Sequence, residues 1–151
     1  QSLALISGLH KALVNIKGRI YHSNQKLYFK DNNLNLISNY LLSKLQNNNK
    51  VEITGSLINR LPNHLSFILL NKKFIPIEAY KIINFMSDNN IAISSGSACS
   101  SSSKEPSVIL KNLNITQNKL FSNIRVSFSN NNNMHEVDKF YDLILKCIEI
   151  F

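Results

Sequence analysis

Cys99 and Arg125 are the residues of this 151-residue chain whose types and surroundings point to chemistry. Cys99 sits in the stretch from Ser94 to Lys104, which reads SSGSACSSSSK. Its neighbours are small, polar or without a side chain, so the stretch has nothing to pack and is expected to be a mobile loop. A free thiol is normally among the most buried side chains, and one in such surroundings calls for a reason. Composition alone leaves two readings open, a nucleophile on a moving loop and an incidental cysteine in a serine-rich linker. With an ordinary pKa of about 8.5, little of the thiol is thiolate at neutral pH. No histidine stands beside Cys99 in sequence, so activation would have to come from an assembled site. Arg125 is one of three arginines among 17 basic residues. A guanidinium binds a carboxylate through two parallel hydrogen bonds, which lysine cannot match; paired to a surface acid, it would do no chemistry. Two further candidates read as structural. His10-Lys11 lies in an apolar-periodic helix and reads as a surface pair, and Cys147 lies beside an apolar stripe and reads as a packing residue.

The elements that must position these residues follow from periodicity. Leu5, Leu9, Ala12 and Ile16 repeat at helical spacing, with Ser2 as the available cap, and a second helix reads from about Leu34 to Leu45 with Ile37, Leu41 and Leu45 on one face. Val51 to Ser56 alternates as a half-buried strand, and Leu65 to Leu70 predicts another, with Arg60-Leu-Pro-Asn63 turning between them. Pro76 suits the first turn of a helix that carries Ala79, Ile83 and Met86 inward and stops at Asp88-Asn-Asn90. Ile91 to Ser94 predicts a short strand leading into the Cys99 stretch, and Pro106 predicts a brief helix through Leu113 beyond it. Asn123 to Phe128 predicts a strand with Ile124, Val126 and Phe128 on one face and Arg125 and Ser127 on the other. Asn133 with Glu136 predicts a capping box on a last helix striped by Val137, Phe140, Tyr141, Ile144 and Ile148. The expected fold is a small α/β domain, a few-stranded sheet packed against helices, without repeat or linker.

Composition removes several classes. Apolar residues make up 44%, which excludes a disordered chain. No run approaches the ~18 apolar residues of a membrane span, and the first residues form no signal peptide. Two cysteines make neither a disulfide scaffold nor a metal cluster, so a reducing cytoplasm is the expected setting. The net charge of +8 comes mostly from lysine, in a chain also rich in asparagine, with no basic stripe interleaved with aromatics. No nucleic-acid or membrane partner is expected from it. The chain opens directly in helical periodicity without an initiator methionine, as a piece of a longer protein would.

Three motifs carry a resemblance. Ser95-Gly-Ser-Ala-Cys99, Glu105-Pro-Ser107 and Ile124-Arg-Val-Ser127 together resemble the cysteine desulfurases of the class V aminotransferase superfamily, in the subgroup with a long mobile cysteine loop. Arg60-Leu-Pro-Asn63, Val137-Asp138 and the opening helix from Ile6 to Leu13 extend the similarity over nearly the whole chain. The resemblance implies the small C-terminal domain of a fold-type I pyridoxal-phosphate enzyme over residues 1–151, with 1–30 the helix entering from the cofactor-binding domain. It implies that Cys99 takes sulfur from L-cysteine as a persulfide, leaving L-alanine, and passes it to sulfur acceptors or iron–sulfur scaffold proteins. It implies that Arg125 holds the substrate carboxylate, and that the full-length enzyme is a homodimer. The family's Schiff-base lysine has no match in this chain, so pyridoxal phosphate belongs to the full-length parent, and the chain alone is expected to be inactive. Asn130 to Asn133 replace the Gly-Arg that family members often carry after the arginine strand. The alternative is a stand-alone persulfide carrier or interaction module, or an inactive remnant, without pyridoxal chemistry of its own.

Overall fold

A computed structural model describes residues 3–17, 20–23, 26–29, 32–96 and 107–151. Among these the chain runs α1 (Leu3–Lys17), β1 (Ile20–Ser23), β2 (Lys26–Phe29), α2 (Asn32–Gln46), β3 (Val51–Ile53), β4 (His64–Leu69), α3 (Ala79–Asp88), β5 (Ser94–Ser95), α4 (Val108–Asn112), a 3₁₀ turn (Gln117–Lys119), β6 (Asn123–Ser127) and α5 (Met134–Ile150). The expected few-stranded sheet against helices is present. Its strand order is β3-β4-β6-β5, every neighbour antiparallel. No helix among the described residues is long and apolar enough to cross a membrane.

Alternation along β4 and β6 separates the sheet into two faces. Leu65, Phe67, Leu69, Ile124 and Val126 share the inner face and are buried in one core cluster. Three helices cover it: Ile37, Leu41 and Leu45 come from α2, Ala79, Ile82 and Met86 from α3, and Val137, Phe140, Leu143, Ile144, Cys147 and Ile148 from α5. The opposite face carries His64, Ser66, Asn123, Arg125 and Ser127. Ile68, Leu110 and Leu120 are buried apart from the main core, and Lys119 ties the 3₁₀ turn to Glu52 of β3 at 2.7 and 2.6 Å.

The helix ends follow local chemistry. The Asn133 side chain accepts from the Glu136 N–H at 3.0 Å, while the Glu136 carboxylate accepts from the Asn133 N–H at 3.0 Å, which is the predicted capping box. Asn90 (φ 61°) and Asn114 (φ 56°) follow α3 and α4 in the left-handed conformation, where asparagine is tolerated best after glycine. Asp138 accepts from the Tyr40 hydroxyl at 2.8 Å and pairs with Lys44 at 2.8 Å, so the Val137-Asp138 match serves to join α5 to α2.

Several elements differ from expectation. The described part of residues 1–30 is not one entering helix, because α1 ends at Lys17 and β1 pairs antiparallel with β2. Ile20-Tyr21 and Tyr28-Phe29 are β-branched and aromatic residues, which favour strands over helix. The side chains of α1 from Leu3 to Asn15, including Leu5, Leu9 and Leu13, are exposed. Helix α3 starts at Ala79 rather than Pro76, because Pro76 bridges Leu70 and the Ile77 N–H donates to the Leu69 carbonyl at 2.8 Å. Pairing beside β4 there outweighs the local helix signal. The strand expected over Ile91–Ser94 is confined to Ser94–Ser95, and Ile91 and Ile93 instead pack against the core.

Candidate functional site

Register brings the polar side chains together. The Thr54 N–H donates to the Ser66 carbonyl at 2.9 Å, Ser66 pairs with Arg125, and Arg125 pairs with Ser94. Strands β4, β6 and β5, with the residue that follows β3, thus contribute one cross-sheet row of polar residues on the face away from the core. A cleft of ≈ 290 Å³ opens over this face, with Arg60, His64 and Arg125 as its basic lining residues. Gly96 and Ser107, which flank residues 97–106 in the chain, both line it. A second cleft of ≈ 290 Å³, between Ile91–Ile93 and the start of α5, does not have Arg125 in its lining.

The three basic side chains differ in what they are free to do. Both Nη groups of Arg60 are engaged: Nη1 donates to Ser38 Oγ at 3.0 Å and to the His64 carbonyl at 3.2 Å, and Nη2 to Asn39 Oδ1 at 3.0 Å. It latches α2 to the start of β4. Arg125 is half-buried, and its Nε–H donates to the Ser95 carbonyl at 2.9 Å. Among the described residues its two Nη groups have no partner, which leaves the forked edge of the guanidinium for a planar anion. Burial, then the Arg125 and Arg60 guanidiniums, hold the His64 imidazole below the usual histidine range. The imidazole is therefore neutral at pH 7, and the cleft's positive charge comes from arginine.

Beneath Arg125 lies a closed polar network. The Asn123 amide, 2% exposed, donates to Thr54 Oγ1 at 2.9 Å, Ser66 Oγ at 3.0 Å and the Phe67 carbonyl at 3.4 Å. The Ser66 hydroxyl donates to Asn123 Oδ1 at 3.2 Å. No buried side-chain nitrogen or oxygen lacks a partner among the described residues. His64, Ser66 and Asn123 were not singled out from sequence. Their signal was there all the same: period-two alternation puts them on the face of Arg125 once β4 and β6 are paired.

Arg125 lies in β6 on the polar face, as expected. Cys99 lies outside the described residues. Cys147 is buried in α5, and burial pushes its thiol up to about 11, as suits a packing residue. His10 and Lys11 are exposed on α1 and line neither of these clefts. No group of metal-ligating side chains occurs among the described residues. Pyridoxal phosphate needs a lysine for its Schiff base and a charged partner for its ring nitrogen. Among the described residues neither lysine nor carboxylate lines the Arg125 cleft, so the described lining does not fit the cofactor; it fits a carboxylate.

The model of the family described as aminotransferase class-V matches residues 15–140. The chain belongs to the class-V aminotransferase family. Among curated members it is similar to "Cysteine desulfurase IscS" of Ruthia magnifica, 36% identical over 104 residues, covering 69% of this chain and 24% of that protein. It is likewise similar to "Cysteine desulfurase" of Gluconacetobacter diazotrophicus, 39% identical over 92 residues, covering 61% of this chain and 22% of that protein. The chain thus spans about a quarter of the length of the curated relatives it matches. Its fold resembles that of a NifS-like protein from Rickettsia africae, with a TM-score of 0.62 at 23% identity over 76% of this chain and 28% of that one.

Proposed function

We propose that this class-V aminotransferase chain is the small C-terminal domain of a cysteine desulfurase, in which Arg125 binds the substrate carboxylate and Cys99 receives the sulfur. The observation that carries this reading is the cleft itself. It is lined by Arg125, whose Nη groups have no partner among the described residues, and by Gly96 and Ser107, the two residues that flank the segment bearing Cys99. A trans chain spans at most about 3.6 Å per residue, so three residues beyond Gly96 give Cys99 a reach of roughly 11 Å from the cleft lining. The names of the curated relatives supply the reaction class.

In this reading L-cysteine presents its carboxylate to Arg125, and the Cys99 thiolate attacks the substrate sulfur. The Cβ–S bond breaks as the S–S bond forms. The sulfur leaves as sulfane sulfur on Cys99, and Cβ keeps the bonding pair and takes up a proton to give L-alanine. No external oxidant is required. Pyridoxal phosphate is the electron sink of such chemistry, and its lysine is expected outside this chain. The persulfide then passes to a sulfur acceptor or an iron–sulfur scaffold protein, from a homodimeric enzyme in a reducing cytoplasm.

The test is made in the full-length protein. Cys99→Ser is expected to abolish persulfide formation, because a hydroxyl cannot accept sulfane sulfur, while cofactor absorbance is retained. Arg125→Lys is expected to raise KM for L-cysteine and lower kcat, costing on the order of 2–4 kcal/mol in kcat/KM through the lost bidentate contact. Full turnover in the Cys99→Ser protein would sink the proposal. A stand-alone persulfide carrier would need Cys99 but not Arg125, so kinetics indifferent to Arg125→Lys would favour that alternative.

A further inference from the structure

The segment that bears Cys99 leaves the sheet from a poor anchor. Strand β5 is two residues long, Ser94 and Ser95, and neither brings apolar surface to hold the strand in place. So short an edge strand is marginal by itself. One side chain and one main-chain carbonyl of β6 supplement it. The Arg125 Nε–H donates to the Ser95 carbonyl at 2.9 Å, and beside it the Gly96 N–H donates to the Asn123 carbonyl at 3.1 Å.

Gly96 fits there only because it lacks a side chain. A β-carbon added at Gly96 would lie 2.9 Å from Leu110 Cδ1 and 3.0 Å from Asn123 Oδ1. The two obstacles are unequal. Leu110 Cδ1 is the free end of an aliphatic side chain and can rotate aside. Asn123 Oδ1 cannot, because the same amide is held by Thr54, Ser66 and the Phe67 carbonyl. Leu110 belongs to α4, on the other side of residues 97–106, so the far flank of that segment comes up against its root at Gly96, beside Asn123.

We propose that Asn123 and Arg125 clamp Ser95–Gly96 and so set the root of the Cys99 segment against the guanidinium, with Asn123 a positioning residue for sulfur transfer. The proposal rests on the desulfurase reading above for its purpose, but not for its geometry. Arg125 then has two edges with two tasks. Nε holds the root, and the Nη pair faces the substrate carboxylate, so thiol and substrate are referenced to one side chain. Asn123 supplies the rigid floor, and its role is to keep Gly96 where Arg125 can hold Ser95.

The experiment reads the clamp directly in this chain by proton exchange at the Arg125 Nε–H and the Gly96 amide, followed by NMR. Gly96→Ala is expected to speed exchange at both positions by about tenfold or more, since the root must lift off Asn123. Adding Asn123→Ser, which shortens the rigid obstacle, is expected to restore part of the protection; adding Leu110→Val is not. Should Gly96→Ala fail to fold, Asn123→Ser alone is expected to speed exchange at both positions, while Asn133→Ala at the start of α5 leaves them unchanged. Exchange within twofold of the parent in both Gly96→Ala and Asn123→Ser would overturn the clamp. Rescue by Leu110→Val and not by Asn123→Ser would remove Asn123 from it. In the full-length protein Gly96→Ala is expected to lower kcat about tenfold with KM for L-cysteine held within twofold, because the thiol is misplaced and the carboxylate contact is not; an unchanged kcat would overturn the role in transfer. The exchange readouts do not involve Cys99. A chain whose Cys99 carries no sulfur would therefore still show the clamp, and a sulfur-carrying Cys99 with unaltered exchange would sink the clamp alone.

Discussion

Ser66 and Phe67 are neighbours in β4, yet they belong to different parts of the molecule. Phe67 is fully buried beneath α2, α3 and α5, opposite Ile124. Ser66 points the other way, opposite Arg125 and within hydrogen-bond distance of Asn123 and Thr54. The first face contributes most of the stability, through apolar area removed from water. The second contributes little net stability, because its hydrogen bonds largely replace those to water. What it provides is placement: among the described residues its buried polar side-chain atoms have partners and one edge of the Arg125 guanidinium does not. The comparison shows one pair of strands holding the fold on one face and the chemistry on the other.

The largest test of that difference is a pair of truncations in adjacent residues. Phe67→Ala is expected to cost about 3–5 kcal/mol in urea unfolding, whereas Ser66→Ala is expected to cost only about 1 kcal/mol. Equal losses would mean that the polar face is as structural as the core. Cys147→Ser puts a hydroxyl into the apolar side and is expected to cost roughly 1–3 kcal/mol. With its thiol pushed up to about 11 by burial, Cys147 should also resist alkylation at pH 8 in the native chain and react once the chain is unfolded. Asn133→Ala breaks the capping box at the exposed start of α5 and is expected to cost about 1 kcal/mol, measured by thermal unfolding.

The smallest effect sharpens the polar face. The fold holds His64 below its ordinary range, so in acid the unfolded chain binds a proton there that the folded chain resists. The stability linked to neutral His64 is therefore complete above the unfolded histidine pKa of about 6.5 and is lost as pH falls below it. His64→Gln should flatten the fall in Tm between pH 7 and pH 5. A parallel fall in both proteins would show that the imidazole is not desolvated beside the two guanidiniums.

Much of this was legible in the residues. The stripes of α2 and α5, the capping box at Asn133 and Glu136, the alternation of β4 and β6 and the isolation of Cys99 among serines are all short-range patterns. A side chain's face follows from its own neighbours in sequence, and so does a cap. The misreadings lie where a distant partner overrode a local signal. Pro76 reads as a helix start until Leu70 pairs with it, and Ile91–Ile93 reads as a strand until the core takes its side chains. The pairing of β1 with β2 lies where the family resemblance implies one helix, beyond the helical periodicity that ends at Ile16.

By itself, then, the sequence determined which residues would be apolar on one face, which carried reactive groups, and to which family the motifs point. Only the tertiary structure decided what stands beside Arg125. Ser66 comes from β4, Ser94 from β5, Thr54, one strand further along the row, from just after β3, and Asn123 from two residues earlier in its own strand. Their meeting depends on the pairing order β3-β4-β6-β5 and on a register between strands far apart in the chain. A shift of one residue would turn Arg125 into the core and Ile124 into the cleft. Burial of Phe67 against Ile124 forbids that shift, so the apolar face, by holding the register, is what assembles the polar one.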